Sequence, residues 1–128
     1  MRLLLDTHAL LWYLTTPEKL PAAAHRAIRS AENEVYASLA SAWEISIKVG
    51  LGKWPEARTL LDTFETAIEQ EQFAILPITV AHVRAAGLMQ SAHRDPFDRL
   101  LAAQAQIEGL TLVTADPKLA GLGAPVLW

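Results

Sequence analysis

Short apolar segments alternate along this chain with longer segments whose apolar positions recur at helical spacing. Five short segments have the length and composition of buried strands: RLLL (2–5), EVYAS (34–38), FAILP (73–77), LTLVT (110–114) and PVLW (125–128). The rest of the pattern predicts helices over 7–14, 20–32, 39–52, 56–71, 79–90 and 96–108, and one helical turn over 117–121. Strands that alternate with helices are typical of a parallel sheet covered on both faces. We therefore expect an α/β fold with three layers, a mainly parallel central sheet flanked by helices.

The size and composition of the chain favour one folded domain. Its 128 residues, 52% of them hydrophobic, are enough for a single good core, so we expect one domain over residues 1–128. No segment approaches the roughly 18 uninterrupted apolar residues of a membrane span. The start, MRLLLD, reaches its Asp too early for a signal peptide. We predict a cytoplasmic protein with no membrane partner.

Cysteine usage and net charge exclude several classes of function. The chain has no cysteine, which excludes disulfides, thiolate nucleophiles and cysteine-based zinc sites and fits a reducing compartment. The net charge is −3 and the isoelectric point is near 5.7, which argues against a general basic surface for nucleic acid. The same charge balance is expected if many of the acids are gathered in one site. The motifs of dinucleotide-binding proteins, P-loop proteins and serine hydrolases are absent.

Polar side chains stand where the predicted strands end. Asp6 follows the first strand, Ser38 ends the second, and Asp116 follows LTLVT. In open parallel sheets, ligands bind beyond the carboxyl ends of the strands, so these positions are candidates for a functional site. Asp6 and Asp116 also have a purely structural interpretation, because Asp is a preferred N-cap residue and a predicted helix follows each.

The predicted helix over 39–52 is apolar nearly all round, with one narrow polar stripe. Ser41, Glu44 and Lys48 form that stripe at helical spacing. The stripe is either exposed, with an ion pair between Glu44 and Lys48, or it lines a polar cleft. A helix this apolar is expected to be packed on most sides, which keeps the cleft interpretation open.

The predicted helix over 96–108 carries a carboxylate on the face that is expected to be buried. Asp98 shares that face with Leu101 and other apolar residues. An acid in the first turn interacts well with the helix dipole, which explains an acid but not a second one three residues from Asp95. Asp95 comes directly before Pro96, and we predict it as the N-cap.

Together, Asp6, Glu44, Asp98 and Asp116 lie near the ends of elements that open onto one edge of the predicted sheet. Four converging carboxylates repel one another, and a divalent cation removes the repulsion. Oxygen ligands alone favour Mg²⁺ or Mn²⁺ over zinc. Such ions activate water and stabilise the charge of an in-line phosphoryl displacement.

Four segments carry a resemblance to a known family: LLLDTHALLW, ASLASAWEISIKVGLGKW, DPFDRLLAAQA and LTLVTAD. In this order and spacing they resemble the PIN domain, and in particular the VapC-like toxin ribonucleases of toxin–antitoxin modules. The resemblance covers essentially the whole chain. It implies a parallel sheet flanked by helices and an acidic, Mg²⁺-dependent site that cuts RNA.

The resemblance also implies roles for individual residues. Asp6, Glu44 and Asp98 match the first three acids of the family, and Asp116 falls on the fourth, which varies. Thr7 and Thr114 fall where the family often has hydroxyls that support the acids, and we add Ser41 to these supporting residues. Asp95 lies outside the common set of acids.

Other residue types are given ordinary roles. The histidines His8, His25, His82 and His93 show no metal-ligand spacing, and we expect surface or capping positions for them, with His93 beside the site. The four tryptophans are expected to pack in the core or at an interface. Three cations near the acids are candidates for contacts with RNA phosphates or for counterions: Lys48, Arg94 and Arg99.

The leading hypothesis is a metal-dependent endoribonuclease that acts as a toxin, cleaves single-stranded or looped RNA and leaves a 5′-phosphate on one product. In this hypothesis Asp6, Asp98 and Asp116 hold Mg²⁺ directly, and Glu44 binds the metal or orients the attacking water. From the resemblance we also expect a homodimer and a cognate antitoxin that covers the acidic cleft. One alternative is a phosphatase or phosphoacceptor domain with Asp6 as nucleophile, although the sequence has DTH where a D-x-D motif would favour it. The other is a binding module whose acids only cap helices.

Overall fold

A single parallel sheet organises the chain. The computed structural model describes residues 1–128. The strands are β1 (Arg2–Leu5), β2 (Glu34–Ser38), β3 (Ala74–Leu76), β4 (Thr111–Val113) and β5 (Val126–Leu127). Their order across the sheet is β3-β2-β1-β4-β5, and each neighbouring pair is parallel. The predicted parallel sheet is confirmed.

Eight α-helices connect and cover the strands. They are α1 (Thr7–Thr15), α2 (Ala22–Arg29), α3 (Leu39–Gly50), α4 (Arg58–Asp62), α5 (Phe64–Gln70), α6 (Val80–Leu88), α7 (Pro96–Glu108) and α8 (Pro117–Ala120). Short 3₁₀ turns precede α2 and α4, at Pro17–Lys19 and Pro55–Ala57. No helix has both the length and the apolar character needed to cross a bilayer.

The central strand divides the core into two layers of packing. The side chains of Leu3 and Leu5 point to one face, where they pack with apolar residues of α1, α2, α4 and α5. The side chain of Leu4 points to the other face and packs with α6, α7 and α8. All three leucines are fully buried, as expected for a strand covered on both faces. The predicted three-layer α/β architecture is confirmed.

One predicted helix is divided in the structure. The expected helix over 56–71 begins with the 3₁₀ turn and is then broken at Thr63, between α4 and α5. The Thr63 hydroxyl donates to the carbonyl of Thr59 at 2.8 Å, a local bond that competes with regular helix geometry and bends helices. The apolar periodicity continues through the break, because Leu60, Phe64 and Ile68 all enter the same core.

The strand order places a topological switch point between β1 and β4. The chain runs outward from β1 to β2 and β3, and then crosses to the other side of β1 to form β4. The loops after β1 and β4 therefore diverge and leave a crevice at the carboxyl ends of these strands, where ligands bind in open α/β sheets. Asp6 follows β1, and Thr114 and Asp116 follow β4.

Candidate metal site at the carboxyl end of the sheet

Asp6 is held at the start of α1 by the end of the sheet. Its backbone N–H donates to the carbonyl of Val113 at 3.0 Å, and its carboxylate accepts from the N–H of Ala9 at 2.7 Å, so it is the N-cap of α1. The Asp6 side chain also hydrogen-bonds to Thr114. Burial raises the pKa of Asp6, and the nearby charge of Asp116 raises it further, while the bonds to Thr114 and Ala9 oppose the shift. Asp6 is both a cap and a buried acid at the switch point.

Thr114 links the acids that follow β1 and β4. Its hydroxyl is the partner of Asp6 and also accepts from the backbone N–H of Asp116 at 3.0 Å. The Asp116 carboxylate accepts from the N–H of Lys118 at 2.9 Å and caps α8. The short loop after β4 thus presents Asp116, half-buried, beside Asp6.

Glu44 is presented by α3 and supported by two hydroxyls. Glu44 and Ser41 are buried, so the polar stripe of α3 faces the protein and not solvent. The Thr7 side chain hydrogen-bonds to Glu44, and the hydroxyl oxygens of Thr7 and Ser41 lie 3.0 Å apart. Thr7 thus links Ser41 to the Glu44 carboxylate. Burial, opposed by this bond, raises the pKa of Glu44, and the charge of Asp95 raises it further.

Asp98 meets a histidine in the first turn of α7. The Nε2 atom of His93 lies 2.8 Å from Oδ2 of Asp98, and both side chains are less than one-fifth exposed. Burial is the largest effect on Asp98 and raises its pKa to about 6. The hydrogen bond from His93 opposes this shift, and the charges of Asp95 and Glu44 add to it.

These groups form one cluster, which we call the acidic site: the four acids Asp6, Glu44, Asp98 and Asp116 and the imidazole of His93. The charges of Asp6 and Asp116 act on each other, and those of Glu44 and Asp98 do the same. Ligand atoms of His93, Asp98 and Asp116 all lie within 4.8 Å of one another. Three of the four acids have pKa values raised chiefly by burial, so their ionised forms lack compensating charge. Carboxylates are the donors that a hard divalent cation prefers, so Asp98 and Asp116, with Asp6 and Glu44 beside them, are the candidate ligands of this site.

His93 is the member of this cluster for which the sequence predicts only an ordinary role. It lies in the loop before α7, five residues from Asp98, at a spacing that matches no metal motif. The only signal was its proximity to the DPFD segment. The Asp95 carboxylate accepts from the N–H groups of Phe97 and Asp98 at 2.9 and 3.3 Å. This cap turns the chain at the start of α7, where the imidazole of His93 meets Asp98.

Arg99 holds the loop that carries His93. Its guanidinium donates to the backbone carbonyls of Ala86 at 3.0 Å, His93 at 3.0 Å and Met89 at 2.5 Å. These bonds tie the end of α6 to the start of α7. The donors of Arg99 that were candidates for RNA phosphates are thus engaged by the protein backbone, which gives Arg99 a positioning role.

The other predicted cations differ in their surroundings. The Lys48 ammonium lies 5.6 Å from the ring centroid of Trp54 and its charge acts on Glu44, so it borders the acidic site. Arg94 is exposed and lines a groove of about 610 Å³ that also includes Trp43 and Val83. Lys48 is therefore the predicted cation whose charge acts on an acid of the site.

Comparison with known proteins gives consistent matches over the chain. The family model of the PIN domain matches residues 3–124, and no curated protein matches by sequence. The VapBC2 structure from Rickettsia felis, bound to a DNA fragment from its promoter, is similar with a TM-score of 0.71, at 18% identity, covering 99% of this chain and 98% of that chain.

Two further structures are similar over similar lengths. FitAcB from Neisseria gonorrhoeae has a TM-score of 0.65 at 21% identity and covers 98% of this chain and 96% of that chain. VapBC-1 from nontypeable Haemophilus influenzae has a TM-score of 0.67 at 14% identity and covers 99% and 97%. At such identities these likenesses show a shared fold.

Proposed function

The chain belongs to the PIN domain family, and from that premise we propose that it is a metal-dependent endoribonuclease, the toxin of a toxin–antitoxin pair, built as one domain over residues 1–128. The observation that carries the proposal is the acidic site, in which ligand atoms of Asp98, Asp116 and His93 lie within 4.8 Å of one another at the switch point of a parallel sheet.

The residues of the site have different proposed roles in metal binding, proton transfer and phosphate binding. Asp98 and Asp116 would hold Mg²⁺ or Mn²⁺, with Asp6 and Glu44 beside it; such an ion, when bound, polarises a phosphodiester and stabilises the charge that develops on it. Glu44, supported by Thr7, orients a water molecule and accepts its proton; burial raises the pKa of this carboxyl above its ordinary value and makes it a stronger base. Lys48 binds a neighbouring RNA phosphate beside Glu44.

The two alternative hypotheses fit the site less well. A module whose acids only cap helices accounts for Asp6 and Asp116, which are both N-caps. It leaves Glu44 and Asp98 unexplained, since neither caps a helix and both are at least half-buried among other acids. The phosphoacceptor hypothesis lacks its second acid, because the sequence has DTH where a D-x-D motif would follow the first strand.

A cleavage assay tests the proposed activity. We expect single-stranded or looped RNA to be cut in Mg²⁺ or Mn²⁺, with a 5′-phosphate on one product and no cutting in EDTA. Glu44→Gln should lower the rate by about 10²-fold or more, the usual effect of losing a positioned general base. Glu69→Gln, an exposed helical glutamate, is the matched control and should cut normally. RNA cleavage that persists in excess EDTA contradicts the proposal.

A homodimer is part of the proposal, and one apolar face supports it. Leu39, Trp43 and Ile47 recur every four residues along α3 and are 41%, 56% and 36% exposed. Val83 of α6, 56% exposed, shares the groove beside Trp43. An apolar face of this kind is suited to self-complementary contact about a two-fold axis. Light scattering should give a dimer for the wild type and a monomer for Trp43→Glu, while Ile107→Glu on α7 should stay dimeric.

The other binding partners that we propose for the chain are RNA and a cognate antitoxin. The solved VapBC2, FitAcB and VapBC-1 structures are similar over nearly the whole chain. We propose that an antitoxin segment covers the acidic site of this chain and that the pair acts in the cytoplasm. Expression of the chain alone should arrest growth, and expression of Glu44→Gln should not. Unrestrained growth with the wild type contradicts the toxin assignment.

A further inference from the structure

We propose that the imidazole of His93 is itself a ligand of the divalent ion, so that the site combines nitrogen with oxygen donors and selects Mn²⁺ over Mg²⁺. The inference rests on the proposed metal site and goes beyond it. An oxygen-only set of ligands, as expected from the sequence, carries no such preference.

The geometry of the cluster is close to that of a shared coordination sphere. Donor atoms about 2.1 Å from one octahedral ion are about 3.0 Å apart when adjacent and about 4.2 Å apart when opposite. Nε2 of His93 and Oδ2 of Asp98 are 2.8 Å apart, and the donor atoms of His93, Asp98 and Asp116 span no more than 4.8 Å. Shifts of less than about 1 Å, within the reach of side-chain rotation, bring all three to one ion.

The backbone of His93 is held in place, and its ring can turn towards an ion. The backbone carbonyl of His93 accepts from Arg99 at 3.0 Å, and the backbone N–H of His93 donates to the Ser91 hydroxyl at 3.1 Å. The ring is 16% exposed and makes its one side-chain hydrogen bond within the chain to Asp98. The backbone is fixed while the ring has no partner outside the cluster, so rotation of the ring towards an ion breaks only the bond to Asp98.

The chemistry of the donors then decides the preference. Mg²⁺ is a hard ion that prefers oxygen ligands and keeps much of its water. Imidazole suits first-row transition metals, and carboxylates suit Mn²⁺ as well as Mg²⁺. A site with one imidazole and two or more carboxylates gains affinity for Mn²⁺ from a ligand that contributes little to Mg²⁺ binding.

Pulsed electron paramagnetic resonance of the Mn²⁺-loaded full-length protein tests the ligand directly. We expect nuclear modulation from one directly bound nitrogen in the wild type, and the signal should change when histidine is labelled with ¹⁵N. The signal should vanish in His93→Gln and stay in His25→Gln, a histidine on α2 that lies against Tyr13. If His93→Gln fails to fold, the labelled wild type still shows whether a histidine binds the ion, and His8→Gln, at the histidine whose charge acts on Asp6 and Glu44, should keep the signal.

Calorimetric titration with each metal supplies a second measure. Loss of even an outer-shell partner lowers metal affinity about 10- to 100-fold, so His93→Gln should weaken Mn²⁺ by about tenfold or more and Mg²⁺ much less. Mn²⁺ binding without nitrogen coupling, or an unchanged ratio of the two affinities, overturns the role of His93 while the metal site stands. Absence of any Mn²⁺ binding overturns both proposals.

Discussion

Two buried polar clusters flank α7, and they differ in the balance of donors and acceptors. The first, which we call the paired network, consists of Ser38, His82, Gln104 and Glu108. Gln104 accepts from the Ser38 hydroxyl at 2.5 Å and donates to the carbonyl of Pro77 at 3.2 Å. Its polar groups find partners within the protein, as buried groups usually do.

The second cluster is the acidic site, where acceptors outnumber donors. Its carboxylates have only a few hydroxyl, backbone and imidazole donors among them, and the pKa values of Asp6, Glu44 and Asp98 are raised, chiefly by burial. Burial of polar groups is therefore common to both clusters. The excess of negative charge distinguishes the acidic site and points to a positive ligand.

The same contrast separates two histidine–carboxylate pairs whose acids lie on α7. In the paired network, Nδ1 of His82 accepts from the N–H of Thr79 at 3.0 Å, so the ring proton lies on Nε2 and points at Glu108, 3.2 Å away. One ring nitrogen of His82 caps α6 and the other bonds to Glu108, and the His82 side chain is only 1% exposed. This agrees with the capping role expected for histidine, although His82 is buried rather than on the surface. His93 instead belongs to the acidic site.

The largest expected effect comes from Asp98→Asn. The change keeps the shape of the side chain and removes a charge that the cation needs, so RNA cleavage in Mn²⁺ should fall by about 10²-fold or more, beyond the effect of losing an outer-shell partner. The metal-free protein should melt at the same temperature or higher, because one like charge leaves a crowded site. Normal cleavage by the variant refutes the assignment of Asp98.

Gln104→Leu should have the opposite profile. It leaves the Ser38 hydroxyl and the Pro77 carbonyl without their partner, and an unsatisfied buried group costs about 1–3 kcal/mol. The free energy of unfolding in urea should fall by about that amount, while the Mn²⁺ affinity of the folded protein should not change. The control is Gln70→Leu at an exposed position of α5. A large loss of metal affinity with intact stability contradicts the separation of the two clusters.

Acid pH should change the stability and the metal affinity of the acidic site by a smaller amount. The pKa of Asp98 is about 6 in the folded protein against 3.8 as its ordinary value, so the folded state holds this proton more tightly than the unfolded chain. Its contribution to the free energy of unfolding is therefore greatest below about pH 4, falls as pH rises towards 6 and is then constant. The difference between the metal-free wild type and Asp98→Asn should follow this course in chemical denaturation. Mn²⁺ affinity should drop below about pH 6, where protons compete for Asp98.

Asp95→Asn should have the smallest effect. Asn caps helices about as well as Asp, so the bonds to the N–H groups of Phe97 and Asp98 are kept and stability should change little. RNA cleavage should survive. Because the charge of Asp95 raises the pKa values of Glu44 and Asp98, the pH profile of cleavage should move slightly to lower pH. An inactive Asp95→Asn beside an active Asp98→Asn reverses the roles of the two acids.

Periodicity along the chain was sufficient to predict most of the fold. Alternating apolar segments located all five strands and predicted their parallel arrangement, because a buried strand and an amphipathic helix each impose a local pattern on the sequence. The same patterns placed Asp6 and Asp116 after strands and Asp95 at a cap. The break at Thr63 was missed because a side-chain bond to a backbone carbonyl leaves no trace in the apolar pattern.

The sequence by itself therefore determined the order of the elements, the edge of the sheet at which a site would open and the acids available to it. Only the tertiary structure decided that the stripe of α3 faces inward, that Arg99 binds backbone carbonyls and that His93 joins Asp98. Local spacing governs which face of an element a residue occupies. Convergence of side chains depends on how loops turn and how helices pack against the sheet, and these are set by contacts between residues far apart in the chain.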